Sequence, residues 1–75
     1  MFKCVICVNN ENYEASLEKW KIYPVIQEEN EEYIRIIDES GEDYLYPSEY
    51  FLPIELPTVV LKELEKEYLG KNKII

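Results

Sequence analysis

Residues 32–47, EYIRIIDESGEDYLYP, decide how the rest of the chain is read. Glu32 to Asp38 is dense in β-branched and aromatic residues, the composition of a strand. Glu39-Ser40-Gly41-Glu42 then supplies a turn, with Gly41 suited to a positive φ. Tyr44-Leu45-Tyr46 resumes as a short strand, which makes the segment a hairpin. Upstream, Ile22–Glu28 (IYPVIQE) reads as another strand, joined to it through Glu29-Asn30-Glu31. Pro24 cannot donate to a ladder, so an edge or a bulge is expected there. Phe2–Val8 is a short apolar run, the pattern of a strand buried on much of both faces. Downstream, Pro47–Tyr50 reads as a helical turn and Phe51–Glu55 as a last strand. Five short strands with tight turns, plus one long loop from Asn9 to Lys21, predict a mainly β fold. Its expected form is a small closed barrel over residues 1–56, because closure removes exposed edges.

After Pro57 the hydrophobic period becomes helical. Val60, Leu61, Leu64 and Tyr68 form one stripe, with Lys62, Glu63, Glu65, Lys66 and Glu67 around the rest. Thr58 is the expected N-cap and Gly70 the expected C′ residue, giving a C-terminal amphipathic helix over residues 57–70. Residues 71–75 read as a flexible tail. A helix this short is marginal alone in water, so its stripe needs a surface. Its own barrel is the preferred one, which favours a monomer; pairing between two chains is the alternative.

Length and composition set the outer bounds. The chain has 75 residues, enough for one domain. Its 47% hydrophobic and 13% aromatic content is that of a folded chain rather than a disordered one. The net charge is −8, and residues 1–56 alone carry thirteen acids against four bases. Direct phosphate-backbone binding needs clustered cations, so no nucleic-acid partner is expected. No apolar run reaches the roughly 18 residues of a membrane span. The start passes from Met1–Val8 straight into Asn9-Asn10-Glu11, unlike a secretory leader. A cytoplasmic location with reduced cysteines is therefore expected.

The stretches Leu17–Val25 (LEKWKIYPV), Glu32–Pro47 and Glu49-Tyr50-Phe51 resemble small SH3-like barrel proteins of bacteria and their phages. In that group a segment of the form sLtxGKxYxV leads into the second strand. A segment yxIxDexGexxxYp makes the third strand, turn and fourth strand, and a helical turn ending in Phe precedes the fifth. The likeness covers about residues 1–55 and leaves the C-terminal helix as an addition. It implies a groove bordered by the helical turn, flanked here by Tyr46 and Tyr50. At Trp20 the sequence departs from the group, which usually has Gly before the Lys. The peptide-binding relatives of the wider fold begin with ALYDY, which is absent here, so their binding residues are not carried over.

Few residues offer chemistry. There is no histidine, the commonest general base and metal ligand. Cys4-Val5-Ile6-Cys7 has the spacing of half a zinc site or a redox dithiol, but no third cysteine or histidine exists to complete a closed site. In a strand this spacing puts the two thiols on opposite faces. The carboxylates of Asp38–Asp43 do not have calcium-loop spacing and read as a solvated hairpin tip. No metal, cofactor or catalytic residue is expected, and hence no enzyme. What remains is surface. Tyr13 and Trp20 lie on the long loop and, with Tyr46 and Tyr50, are the candidate partner-binding aromatics, residue types that commonly anchor interfaces. Glu28, Glu29, Glu31, Glu39, Glu42 and Asp43 are the candidate acidic surface, expected with Glu11, Glu14 and Glu18 to build a negative field over one end of the barrel.

The expected function is a non-catalytic protein–protein interaction module whose partner is another protein. The alternative is an acidic mimic of nucleic acid that inhibits a DNA- or RNA-handling protein.

Overall fold

The computed structural model describes residues 3–28 and 30–73. Five strands, β1 (Lys3–Cys7), β2 (Ile22–Glu28), β3 (Tyr33–Ile37), β4 (Asp43–Pro47) and β5 (Phe51–Ile54), form one antiparallel sheet in the order β4-β3-β2-β1-β5. A single 3₁₀ turn, Ser48–Tyr50, separates β4 from β5, and the helix α1 runs from Thr58 to Lys73. The expected strands all form, within one or two residues at each end. Phe2, Ile74 and Ile75 lie outside the described residues. β4 and β5 stand at the two ends of the strand order and are joined through the 3₁₀ turn, not by a ladder.

Pro24 does not mark an edge. β2 is the central strand, and Pro24 pairs with Cys4 of β1 in the interior of the sheet. Its missing N–H is accommodated because the β2–β3 ladder starts one residue later, at Val25↔Ile36. The expected bulge does occur, between Val25 and Gln27.

Alternation along the strands sorts the apolar residues. Val5, Cys7, Tyr23, Ile34, Ile36, Tyr46 and Phe51 point inward and form the core with Leu17 of the long loop. Cys4, Pro24 and Ile37 fall on the other face by register, yet they too are buried. Here α1 comes into play. Leu61 lines a cleft of about 500 Å³ together with Cys4 and Ile54. Tyr68 lines another of about 250 Å³ with Lys21 and Ile37.

Two features of α1 differ from the sequence reading. The Pro57 carbonyl accepts from Leu61 N at 3.0 Å and Val60 N at 2.9 Å, so Pro57 takes the N-cap position and Thr58 the first helical one. Gly70 does not stop the helix, which continues to Lys73, so residues 71–73 are helix rather than tail. A glycine in a helix interior costs about 1 kcal/mol relative to alanine, which does not by itself end a helix. Leu61, Leu64 and Tyr68 are half-buried, while Val60, at the margin of the stripe, is exposed.

The long loop is fastened from beneath by two tyrosines. The Tyr46 hydroxyl donates to Asp38 Oδ2 at 2.5 Å and accepts from Ser16 Oγ at 2.9 Å. The Tyr23 hydroxyl donates to Glu39 Oε2 at 2.6 Å and accepts from Glu18 N at 2.7 Å. Asp38 is the one buried carboxylate among the described residues, and its other oxygen accepts from Ser40 N and Ser40 Oγ. Gly41, at φ 85°, closes the turn by donating to the Asp38 carbonyl at 3.0 Å. No buried side-chain polar atom among the described residues lacks a partner.

Removing the Tyr46 hydroxyl leaves Asp38 and Ser16 short of a partner. Tyr46→Phe should therefore destabilise by about 1–3 kcal/mol, read as a lower urea midpoint with unchanged slope. The same tyrosines set an alkaline limit. Burial, then the Asp38 hydrogen bond, pushes the Tyr46 phenol up to about 12, and burial with Glu39 raises Tyr23 as well. Stability from a raised phenol is complete below the ordinary tyrosine value and is lost as pH rises through the folded one. The melting temperature should hold to about pH 10 and fall between pH 10 and 12, with late phenolate absorbance tracking unfolding.

Candidate functional site

The loop that follows β1 ends beside the strand it left. Trp20 N donates to Cys7 O at 2.6 Å, and Cys7 N donates to Lys21 O at 2.9 Å. On the other side of the same strand end, Val8 N and Asn9 N both donate to Tyr50 O, at 2.8 and 3.4 Å. Trp20 and Tyr50 therefore flank the end of β1. Their backbones are two strand spacings apart, about 10 Å.

Trp20 holds φ at +70°, the left-handed region that favours glycine, with its side chain 66% exposed. The left-handed turn is thus made by a tryptophan. The backbone turn is kept and a large aromatic stands on the loop. A left-handed L-residue costs about 1–2 kcal/mol. The indole makes no compensating hydrogen bond among those described.

Tyr13 and Tyr50 supply the second aromatic surface. Their rings meet edge to face at 5.9 Å, and Tyr13 meets Tyr46 at 5.0 Å with perpendicular planes. Tyr46 in turn contacts Phe51, and Phe51 contacts Tyr23. One chain of rings thus runs from the surface into the core. Tyr46 is only 4% exposed and belongs to the buried part of that chain. It supports Tyr13 from below and offers no surface of its own. Tyr13 is 37% exposed, and Tyr50, half-buried, fastens its hydroxyl to the Glu11 carbonyl at 3.2 Å.

Carboxylates gather around this pair. Partial burial and then the charges of Glu11, Glu49 and Glu14 raise the Tyr50 phenol. Ser48 N and Ser48 Oγ donate to the carbonyls of Glu32 and Glu31, at 2.8 and 3.0 Å, which ties the β2–β3 tip to the 3₁₀ turn. There Glu31, Glu32 and Glu49 line a cleft of about 420 Å³ with Tyr33 and Pro47.

The acidic residues singled out from the sequence divide into two groups. Glu28 pairs with Lys3 at 3.0 Å, Glu39 with Lys21 at 2.7 Å, and Asp43 with Arg35 at 3.3 Å. Lys21, aided by the Tyr23 hydroxyl, holds the Glu39 carboxyl below its ordinary value. Glu31 and Glu42 have no cationic partner among the described residues, and neither do Glu11, Glu14, Glu32 and Glu49. Glu29 lies outside the described residues. Nor do the two tips share one end of the fold. The β2–β3 connection and the 38–43 turn lie at opposite ends of β3, as successive hairpins in an antiparallel meander must. The unpaired charge near the aromatics comes instead from Glu11, Glu14, Glu31, Glu32 and Glu49. Glu31 is among the acids singled out from the sequence, whereas the grouping of Glu31 and Glu32 with Glu49 depends on Ser48 drawing the tip to the 3₁₀ turn.

Cys4 and Cys7 are free and buried, on opposite faces as their spacing predicts, and burial raises both thiols. Among the described residues no group of three or more Cys, Asp or Glu side chains is placed to hold a metal, and no helix is long and apolar enough to cross a membrane. No protein-family profile, curated protein or solved structure matches the chain.

Replacing Trp20 by glycine tests the strain at that position. Trp20→Gly should raise stability by about 0.5–1 kcal/mol, the left-handed penalty less the glycine's greater unfolded-state freedom. A loss of stability in urea denaturation would mean that the indole contributes to the fold.

Proposed function

We propose that the chain is a non-catalytic interaction module of SH3-like barrel type that docks a basic, partly apolar segment of another protein. The observation that carries this reading is the presentation of Trp20. A tryptophan two-thirds exposed, on a backbone conformation that glycine would adopt without strain, carries a backbone cost, and its indole makes no hydrogen bond among those described. Such a cost is expected where a side chain is displayed for a partner. Tyr13 and Tyr50 extend the surface with rigid amphipathic area, and the unpaired Glu11, Glu14, Glu31, Glu32 and Glu49 favour a cationic partner over an anionic one. The meander, the 3₁₀ turn before β5 and the long first loop support the barrel assignment. A monomer is the proposed state, since Leu61 and Tyr68 find surfaces on their own chain.

The second reading, an acidic mimic of nucleic acid, draws on the same unpaired carboxylates. The two differ in what they ask of Trp20 and of salt. Tagged protein is used to capture partners from bacterial lysate, with elution in salt steps and identification by mass spectrometry. The module reading expects a partner that withstands moderate salt and is reduced at least about tenfold by Trp20→Ala or Tyr50→Ala, as for an aromatic anchor. A DNA- or RNA-handling protein released by moderate salt and indifferent to both substitutions would replace it with the mimic.

A further inference from the structure

The face of the sheet turned away from the core holds Cys4, Pro24 and Ile37, all nearly inaccessible to solvent. In an antiparallel sheet such a face is ordinarily wet unless an element covers it. Leu61 shares one cleft with Cys4 and Ile54 of this face, and Tyr68 shares another with Lys21 and Ile37. Seven helical residues span about 10.5 Å, which matches the two strand spacings, about 10 Å, between Ile37 of β3 and Cys4 of β1 on either side of β2. The cover is α1.

The helix is not enclosed on all sides: clefts of about 500 and 250 Å³, open to solvent, adjoin Leu61 and Tyr68. The helix residues that face the sheet, Leu61, Leu64 and Tyr68, are half-buried, whereas the sheet residues beneath are nearly fully so. Only Glu55, Leu56 and Pro57 link α1 to β5, and a link that short keeps the helix close to its own sheet.

We propose that α1 is a hinged cover that lifts from the outer face while the five strands stay folded, exposing an apolar face that contains Cys4. The two thiols make this measurable. Cys7 sits in the core at 0% exposure and is reached only when the sheet unfolds, whereas Cys4 lies between sheet and helix. Burial raises the Cys4 thiol and shields it from reagent, and lifting the helix relieves both. Iodoacetamide then reports the opening: the Cys4 thiolate displaces iodide to form a thioether, and the thiol proton goes to solvent.

Native protein is exposed to iodoacetamide over time, and each site is quantified by fragment-ion mass spectrometry. Global unfolding is followed separately by far-UV circular dichroism in urea. Cys4 should react at least about tenfold faster than Cys7, at a rate independent of protein concentration, and slower than an unstructured peptide thiol. Leu61→Ala should speed Cys4 about tenfold and leave Cys7 unchanged. Equal rates at both thiols, or an equal effect of Leu61→Ala on both, would show that α1 and the sheet open only together and would overturn the proposal. So would a Cys4 as reactive as the free peptide, meaning no cover. Protection that grows with protein concentration would overturn it as well, since a second copy would then be the cover.

Discussion

Two phenolic hydroxyls hold this structure in its working shape. Tyr46 joins Asp38 of one turn to Ser16 of the long loop, and Tyr23 joins Glu39 of the same turn to the backbone at Glu18. A thirteen-residue connection, Asn9 to Lys21, would otherwise be free to move over the surface. Each tyrosine puts its ring in the core and its hydroxyl against the loop, so burial and tethering come from the same side chain. Leu17 completes the fastening as the one loop residue buried in the core. With the loop fixed, Tyr13 is set on Tyr50, and Trp20 is delivered to the end of β1.

Much of this was legible in the chain itself. Alternation and turn residues locate every strand, because a five-residue element with one face in the core leaves its period in the sequence, and Gly41 marks its turn by the φ that only glycine adopts freely. What local pattern could not supply is anything set by distant contacts. Pro24 reads as an edge residue because a proline lacks a donor, but the ladder was shifted around it by one residue and a bulge. Gly70 reads as a stop, although nothing in a single residue says whether the next turn is supported. The site follows the same division. Tyr13, Trp20 and Tyr50 are visible as aromatics near loops, whereas the burial of Tyr46 depends on Asp38 and Ser16, eight and thirty residues away.

Charge behaves less simply than the total implies. A net −8 suggests a uniformly negative object, yet Lys3 and Arg35 pair with carboxylates of the sheet, and Lys21 pairs with both Glu39 and Glu18. These surface pairs add little to stability, on the order of 0–1 kcal/mol each. Their effect is on distribution: they quiet the charge along the strands and leave it around the aromatic surface. The field that a partner meets is therefore set by which acids lack a cation, not by how many acids there are.

The position of Trp20 also governs how the protein can be watched. It is the sole tryptophan of the chain, and it stands on the surface with the core built from tyrosine and phenylalanine instead. Indole emission here begins from a solvated side chain in the native state, so unfolding changes its surroundings little. A fluorescence melt would understate the transition that circular dichroism sees. The same lone indole, silent about the core, is a built-in optical probe of whatever settles on the loop.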